Sequence, residues 1–471
     1  MSLTSEPSTG LRPSDESALR AALHGTVLIE SDNDYEDARR LHNGAIDRRP
    51  ALLVQVASTA DIVETLAIAR SRGLSVSVKA GGHGVAGHAL GGDVVIDLSA
   101  MRGVSVDPVA RTAVVRAGST WGEVDDATQA HGLAVPGGRI THTGVAGLTL
   151  GGGEGWLSQK YGMSCDNLLS IDLVTADGRQ VTACASSAPE LFWALRGGGG
   201  NFGVATSFTF QLHPVGPLVY GGLLGYRLSD APEVFAILNE LVALGNDDLS
   251  PAAVFHRAPP APFVPGDVVG QPVIGVAPVY LGDPADAAAF FKPLHERVTP
   301  LFDASGPMPY VVLQALMDDM AHPGFRHRWA GSFLPQVPAA LVSDLQDAAA
   351  SMPSPLSHII ISPYGGAIAR VPADATAYPQ RDASWLVHPV GMWANPADDE
   401  ANLAWVRDLS AKIRSYGETG AYLNLEQGGD ERVRWAFGEE RYRRLQAIKA
   451  AWDPEDVFRH CNHIQPAHPR A

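Results

Sequence analysis

Between residues 51 and 80 the hydrophobic pattern changes period twice. The run ALLVQV (51–56) is nearly all apolar and predicts a buried strand. In DIVETLAIARSRG (61–73) the apolar positions recur at helical spacing. Ser58 followed by Asp61 forms a capping-box signature at its start, and Gly73 supplies the stop. SVSVKA (75–80) alternates and predicts a second strand. Short strands follow at VVIDL (94–98), GVSVD (103–107) and TAVVRAG (112–118), then a helix at about 121–131. SIDLVTADGRQVTA (170–183) predicts a hairpin turning at Asp177-Gly178, and SFTFQLHPV (207–215) another strand. From about 218 to 415, strand-like runs such as HIIISPYGGAI and SWLVHPVGMW alternate irregularly with helices at about 231–244, 284–293, 338–351 and 398–415. That mixture predicts an α+β unit with an antiparallel sheet, in which Tyr280, Tyr364, Trp385 and Trp393 read as core. Beyond it, Tyr422, Asn424 and Glu426 share one face if AYLNLE is extended, and a helix at about 439–451 stops at Asp453-Pro454.

The glycines change this picture. Of 49, many fall between positions 81 and 203, in three clusters: KAGGHG (79–84), VPGGRITHTGVAGLTLGGGEGWLSQKYGMSCDN (135–167) and RGGGGNFGVAT (196–206). The clustering marks structured loops with a task rather than disorder, and the middle cluster reads as one long structured loop. In the first cluster, glycines free to adopt positive φ follow a strand and can turn consecutive N–H groups onto a phosphate. No helix opens there, which excludes a P-loop or Rossmann fingerprint. His83 inside the turn is superfluous for phosphate binding. It reads as a ring nitrogen presented to a bound nucleotide cofactor.

Charge and cysteines narrow the class. With 471 residues the chain has room for two or three domains. Its 35 Lys+Arg against 51 Asp+Glu, net −16, argue against a nucleic-acid surface. Cys165, Cys184 and Cys461 have neither metal-type spacing nor an even framework, so a reduced, cytoplasmic protein is expected. Residues 1–16 read as a frayed polar terminus without signal-peptide character, and no apolar run approaches a membrane span, so no membrane partner is expected.

The three glycine clusters, the YLN triplet (422–424) and the tail FGEERYRRLQAIKAAWDPEDVFRHCNHIQP (437–466) occur in an order that resembles the berberine-bridge-enzyme-like FAD-linked oxidases of the vanillyl-alcohol-oxidase superfamily. The resemblance spans about residues 40–466. It implies an α+β architecture: a two-part PCMH-type FAD-binding domain, residues 1–215 and 416–471, with a substrate domain at 216–415 inserted between. It implies FAD bonded through His83 to the 8-methyl group of the flavin. A second tether, a cysteine in the middle cluster, falls on Ile140, which cannot form a thioether, and Cys165 lies too far along to replace it. Attachment through His83 alone is expected.

By the same resemblance, Gly81, Gly82, Gly84, Gly144, Gly147, Gly151, Gly152, Gly155, Asn167, Gly200, Gly203, Val204, Asn424 and Asn462 are the cofactor contacts. Asn462 reaches back from the tail. Tyr422 is the candidate base or substrate-orienting residue, with Asn424 beside it and Glu426 a weaker choice. A free tyrosine, with a pKa near 10, needs nearby donors or cations to act as a base. The implied reaction removes a hydride from a C–H bond next to a hydroxyl or amine of a small molecule such as a sugar, an alkaloid or a secondary metabolite. Dioxygen would reoxidise the flavin and release hydrogen peroxide. Thr143 stands where valine marks the oxygen-using members. The alternatives are a dehydrogenase with another acceptor, and a flavin binder without turnover.

Overall fold

The computed structural model describes residues 12–427 and 429–467; the polar N-terminal stretch expected to fray lies mostly outside them. Two sheets are built before residue 215. The first has four strands in the spatial order Thr26–Leu28, Leu52–Gln55, Val94–Asp97, Val76–Lys79. Its last three strands run parallel, because the helix Thr59–Arg72 carries the chain across from Gln55 to Val76. That helix has the expected capping box at Ser58 and Asp61, and it ends at Gly73 with φ of 65°. The second sheet is antiparallel, in the order Val104–Asp107, Thr112–Arg116, Val204–Gln211, Leu168–Val174, Gln180–Cys184. Its edge hairpin turns over Asp177-Gly178 as predicted, with Gly178 at φ of 85°.

A nine-stranded antiparallel sheet dominates the middle of the chain. Its central strands are Ala252–Arg257, His358–Pro363 and Trp385–Trp393. Side chains alternate strictly across it. Phe255, Ile359, Ile361, Trp385 and Val387 pack in one core with the helices Ala231–Ala243, Ala339–Ala350 and Asp399–Arg414. His358, Ile360, Ser362, Leu386, His388 and Val390, one residue out of phase, face a cavity instead. The strand Gly420–Ala421 joins this sheet through Ser332–Leu334, so the segment beyond 416 first adds a strand here.

The chain then returns to the first two sheets. The helix Glu439–Trp452 brings the fully buried Lys449 against Asp453 at 2.6 Å and against the carbonyls of Asn201 and Phe458 at 2.9 and 3.0 Å. The Asp453 carboxylate in turn accepts from the amides of Val457 and Phe458. A fully satisfied ion pair thus pins the tail beside the third glycine cluster. Among the described residues, no helix is long and apolar enough to cross a membrane.

One buried junction joins the two halves. Asp125, on the helix Trp121–Gln129, accepts from Gln314 Nε2 at 2.8 Å, while its other oxygen has no partner. Gln314 and Tyr310 belong to the helix Tyr310–Gln314, and the Tyr310 hydroxyl is also unpartnered. Burial pushes the Asp125 carboxyl up to about 8, well above its value of 3.8 in water. The folded state therefore holds a proton that the unfolded chain releases near pH 4. The resulting stability is complete below that pH and is lost as the pH climbs through about 8. Asp125→Asn should stabilise the protein by about 1–3 kcal/mol at pH 8 and by clearly less at pH 5. Urea unfolding at the two pH values measures the gap.

Candidate functional site

The strand Val76–Lys79 ends where Lys79 Nζ meets the buried Asp97 carboxylate at 3.0 Å and the carbonyl of Ala38 at 2.8 Å. Beyond this anchor the chain enters KAGGHG. Among the described residues, the amides of Gly81, Gly82, His83, Gly84 and Val85 donate to no protein acceptor. Five successive unpaired N–H groups at the head of a cavity form a cradle for an anion.

The second glycine cluster lies directly against the first. A Cβ on Gly81 would stand 2.5 Å from the amide nitrogen of Gly144, and one on Gly144 would stand 2.6 Å from that of Gly81. No side chain fits between the two backbones. Here the expected long loop is interrupted by a helix, Val145–Leu150. Gly147 inside it and Gly144 and Gly151 at its ends obscured that helix, since glycine disfavours helices on average. Leu150 O then accepts the amides of Gly197 and Gly199, which ties in the third cluster.

All three clusters border one cavity of about 360 Å³. Of the expected contacts, Gly81, Gly82, His83, Gly84, Gly144, Gly147, Gly151, Gly200, Gly203, Tyr422, Asn424 and Asn462 line it. Four others do not. Gly152 backs onto the Tyr378 ring, and Gly155 onto the carbonyl of Gly137. The Asn167 amide donates to the carbonyls of Tyr161 and Met163, and its oxygen meets His213 at 2.6 Å. Val204 is fully buried at the start of a central strand. Their part is to shape the segments that carry the lining. Asn462 donates to Leu423 O at 3.2 Å while its own carbonyl accepts from Asn201, so the tail does reach the site.

His83 sits in a cluster of aromatic side chains that the motif alone did not reveal. Its ring stacks on His42 with centroids 3.9 Å apart and planes 16° apart, and His327 stacks on the other histidine at 4.5 Å. His142 and Trp329 close the group at 5.2 and 5.8 Å from His83. Burial holds the His83 ring neutral, its pKa lowered to about 3, with His142 and His327 adding to the effect. Its Nε2 is buried without a partner. The ring nitrogens of His42, His83 and His142 lie within 4.8 Å of one another. His88 is neutral too, pushed down to about 4 by burial.

Tyr422 and Asn424 are together, but not on a strand. Leu423–Leu425 is a 3-10 turn that starts at Tyr422, which replaces the extended segment expected there. The Tyr422 oxygen receives the amides of Gly153 at 3.0 Å and Glu154 at 3.1 Å, and Asn424 Nδ2 at 3.1 Å. Burial raises the phenol above its usual pKa despite these donors. Glu426 lines the cavity and lies 3.3 Å from Arg432. Ile140 lines it as well, whereas Cys165 is buried off the cavity wall with its thiol pushed up by burial. Arg139 and Glu154, inside the second glycine cluster, also line it, as do Trp329, Ser362, His358 and His388, for which the sequence offered no motif.

The FAD binding domain family matches residues 50–183, and the "Berberine and berberine like" family matches residues 408–465. An FAD-linked oxidoreductase of Dictyostelium discoideum is 28% identical, over 94% of this chain and 95% of the relative. The (R)-6-hydroxynicotine oxidase of Paenarthrobacter nicotinovorans is 27% identical, over 96% and 99%. In solved structures, 6-hydroxy-D-nicotine oxidase from Arthrobacter nicotinovorans superposes with a TM-score of 0.85 at 26% identity, over 94% of this chain and 98% of that one. Wild-type Phl p 4.0202 and a Phl p 4 variant share the fold at 22% identity, with TM-scores of 0.81 and 0.82, each over 97% of this chain and all of the other.

The unpaired amides of the first turn and the backbone contact between Gly81 and Gly144 fit FAD. If that contact shapes the cradle, Gly144→Ala should leave the far-ultraviolet circular dichroism unchanged. The FAD-to-protein absorbance ratio of the purified protein should meanwhile fall by roughly tenfold or more. The chain thus carries an FAD-binding segment and a berberine-like segment, and the relatives that align with it over nearly their whole length include an FAD-linked oxidoreductase and an (R)-6-hydroxynicotine oxidase.

Proposed function

We propose that the protein is an oxidase whose FAD is bonded covalently to His83. It takes a hydride from a C–H bond beside a hydroxyl or amine of a small molecule and passes the electrons to dioxygen, releasing hydrogen peroxide. The observation that carries the reading is the state of His83. It is a neutral imidazole with a buried, unpartnered Nε2, set inside a turn of free amides at the head of the glycine-lined cavity. A neutral ring has a lone pair to give to carbon, whereas a protonated one does not. The bound FAD supplies the two-electron acceptor, and the chain supplies binding, orientation and proton handling. The amides of Gly81 to Val85 would hold the anionic part of the cofactor. Asn424 and Asn462 would fix its other polar edges. Tyr422 anchors the Gly153-Glu154 turn and orients whatever lies against it.

The choice of dioxygen rests on Thr143. It lines the cavity next to Gly144, at the position that the family resemblance ties to oxygen access. In Phl p 4 the wild type is a glucose dehydrogenase, and an isoleucine-to-valine variant is a glucose oxidase, so one methylene can decide the acceptor there. Thr143 has the compact shape of valine.

Two measurements test the reading. Acid-precipitated wild-type protein should stay yellow and carry the mass of one FAD, while His83→Ala should release its FAD into the supernatant. A colourless wild-type pellet sinks the linkage. Separately, photoreduced protein mixed with air should reoxidise quickly, and Thr143→Leu should slow that step about tenfold or more without slowing reduction. Equal reoxidation in both proteins removes Thr143 from the argument, and slow reoxidation in the wild type makes the enzyme a dehydrogenase.

A further inference from the structure

The wall that the nine-stranded sheet gives to the cavity is mostly apolar. Ile360, Leu386, Val390 and Trp329 form it, and Met317 and Met320 extend it from beside the helix Tyr310–Gln314. Its polar groups on the sheet are few: His358, Ser362 and His388. A sugar ring needs a donor or acceptor for nearly every hydroxyl it buries, because each unpaired one costs free energy. This wall cannot supply them. It suits an apolar body that carries one hydroxyl.

His388 is arranged to receive that hydroxyl. Its Nδ1 lies 2.8 Å from the carbonyl of Ala330. A carbonyl only accepts, so Nδ1 carries the hydrogen and Nε2 keeps the lone pair. Among the described residues, Nε2 has no hydrogen-bond partner. Burial and the nearby Arg139 hold the ring neutral, pushed down to about 4. Arg139 itself is clamped to Glu154 by contacts of 3.0 and 2.5 Å, and it belongs to the second glycine cluster. His388 is therefore the sheet histidine influenced by the glycine segments. The other candidate, Tyr422, already has three donors on its oxygen.

We propose that Nε2 of His388 takes the hydroxyl proton of the substrate, and that the substrate is an alcohol on an aromatic or alicyclic body rather than a sugar. This rests on the oxidase reading above. The O–H bond breaks toward Nε2, which becomes N–H, and the freed electron pair forms the C=O bond. The C–H bond breaks with its pair, and the hydrogen leaves as hydride to the bound FAD. The product is a ketone or aldehyde. The two electrons and hydrogen of that hydride, with the proton taken by His388, would together convert dioxygen to hydrogen peroxide, so the cycle would close without another reactant.

The test uses the FAD-loaded protein in anaerobic stopped flow, with 1-phenylethanol, benzyl alcohol and cyclohexanol set against glucose and xylobiose. At least one of the alcohols should bleach the flavin faster than either sugar. With the best alcohol, His388→Ala and His388→Gln should each slow bleaching by about 10²–10⁴-fold. The Kd, read from the perturbed flavin spectrum, should change by less than about threefold. Added imidazole should restore a part of the rate to His388→Ala. A structural role would not be rescued in that way. Faster bleaching by a sugar overturns the substrate class. Bleaching within about threefold of wild type in the variants, or loss without imidazole rescue, overturns the role of His388. If no alcohol bleaches the flavin while photoreduced protein still reoxidises rapidly in air, this inference fails and the oxidase reading stands.

Discussion

The site depends on two peptide backbones touching. Gly81 and Gly144 come so close that a single methyl on either would collide with the other's amide nitrogen. The contact joins the loop after the four-stranded sheet to the segment that leads into the helix Val145–Leu150. From there Leu150 O takes the amides of Gly197 and Gly199 and draws in the third cluster. A bulkier chain at the first contact would splay the clusters and open the cavity between them. This is why glycine density in this chain is a packing requirement at a few points rather than general looseness. The free amides of residues 81–85 are the complement of the same geometry: a turn pressed against another backbone cannot fold back to satisfy its own N–H groups.

Tyr422 illustrates how one side chain can look catalytic while holding structure. Three N–H donors converge on its oxygen, an arrangement that would stabilise a phenolate. Burial beside Glu154 acts in the opposite sense and dominates, since the phenol ends above its ordinary pKa. A neutral phenol with every lone pair engaged is a poor proton acceptor. It is, however, a rigid strut between the tail and the Gly153-Glu154 turn, and through Glu154 it fixes Arg139.

Much of the local structure was legible in the chain, because its causes are local. Ser58 and Asp61 start a helix and Gly73 stops it through contacts within three or four residues. The turn at Asp177-Gly178 needs only the positive φ of Gly178. The strands of the middle region were legible as strand-like runs such as HIIISPYGGAI and SWLVHPVGMW. Two readings failed where tertiary contacts overrode local pattern. The helix Val145–Leu150 forms in a glycine-rich stretch because both its ends are held by other segments. The YLN triplet curls into a 3-10 turn because the Tyr422 ring must reach Gly153. The site was legible only in its glycine motifs, the YLN triplet and the tail. His42 lies 41 positions before His83, and His388 lies on a strand whose other alternate residues are ordinary apolar ones. Nothing in spacing or composition links such residues; only the register Ile360–His388 brings the imidazole to the cavity wall.

The chain carries a net charge of −16, yet the cavity is not built on charge. Its imidazoles are kept neutral by desolvation, and Arg139 is matched by Glu154. A neutral, poorly hydrated interior has a physical consequence for hydride chemistry. A hydride donor gains positive character as the C–H bond stretches, and in a low-dielectric site that charge is costly unless a proton leaves at the same time. Coupling the two transfers keeps the substrate near neutrality and leaves the positive charge on the imidazole. A lone pair on a neutral imidazole meets that need without placing a permanent anion beside the cofactor. The abundance of buried, uncharged histidine around this cavity is what a site of this kind requires.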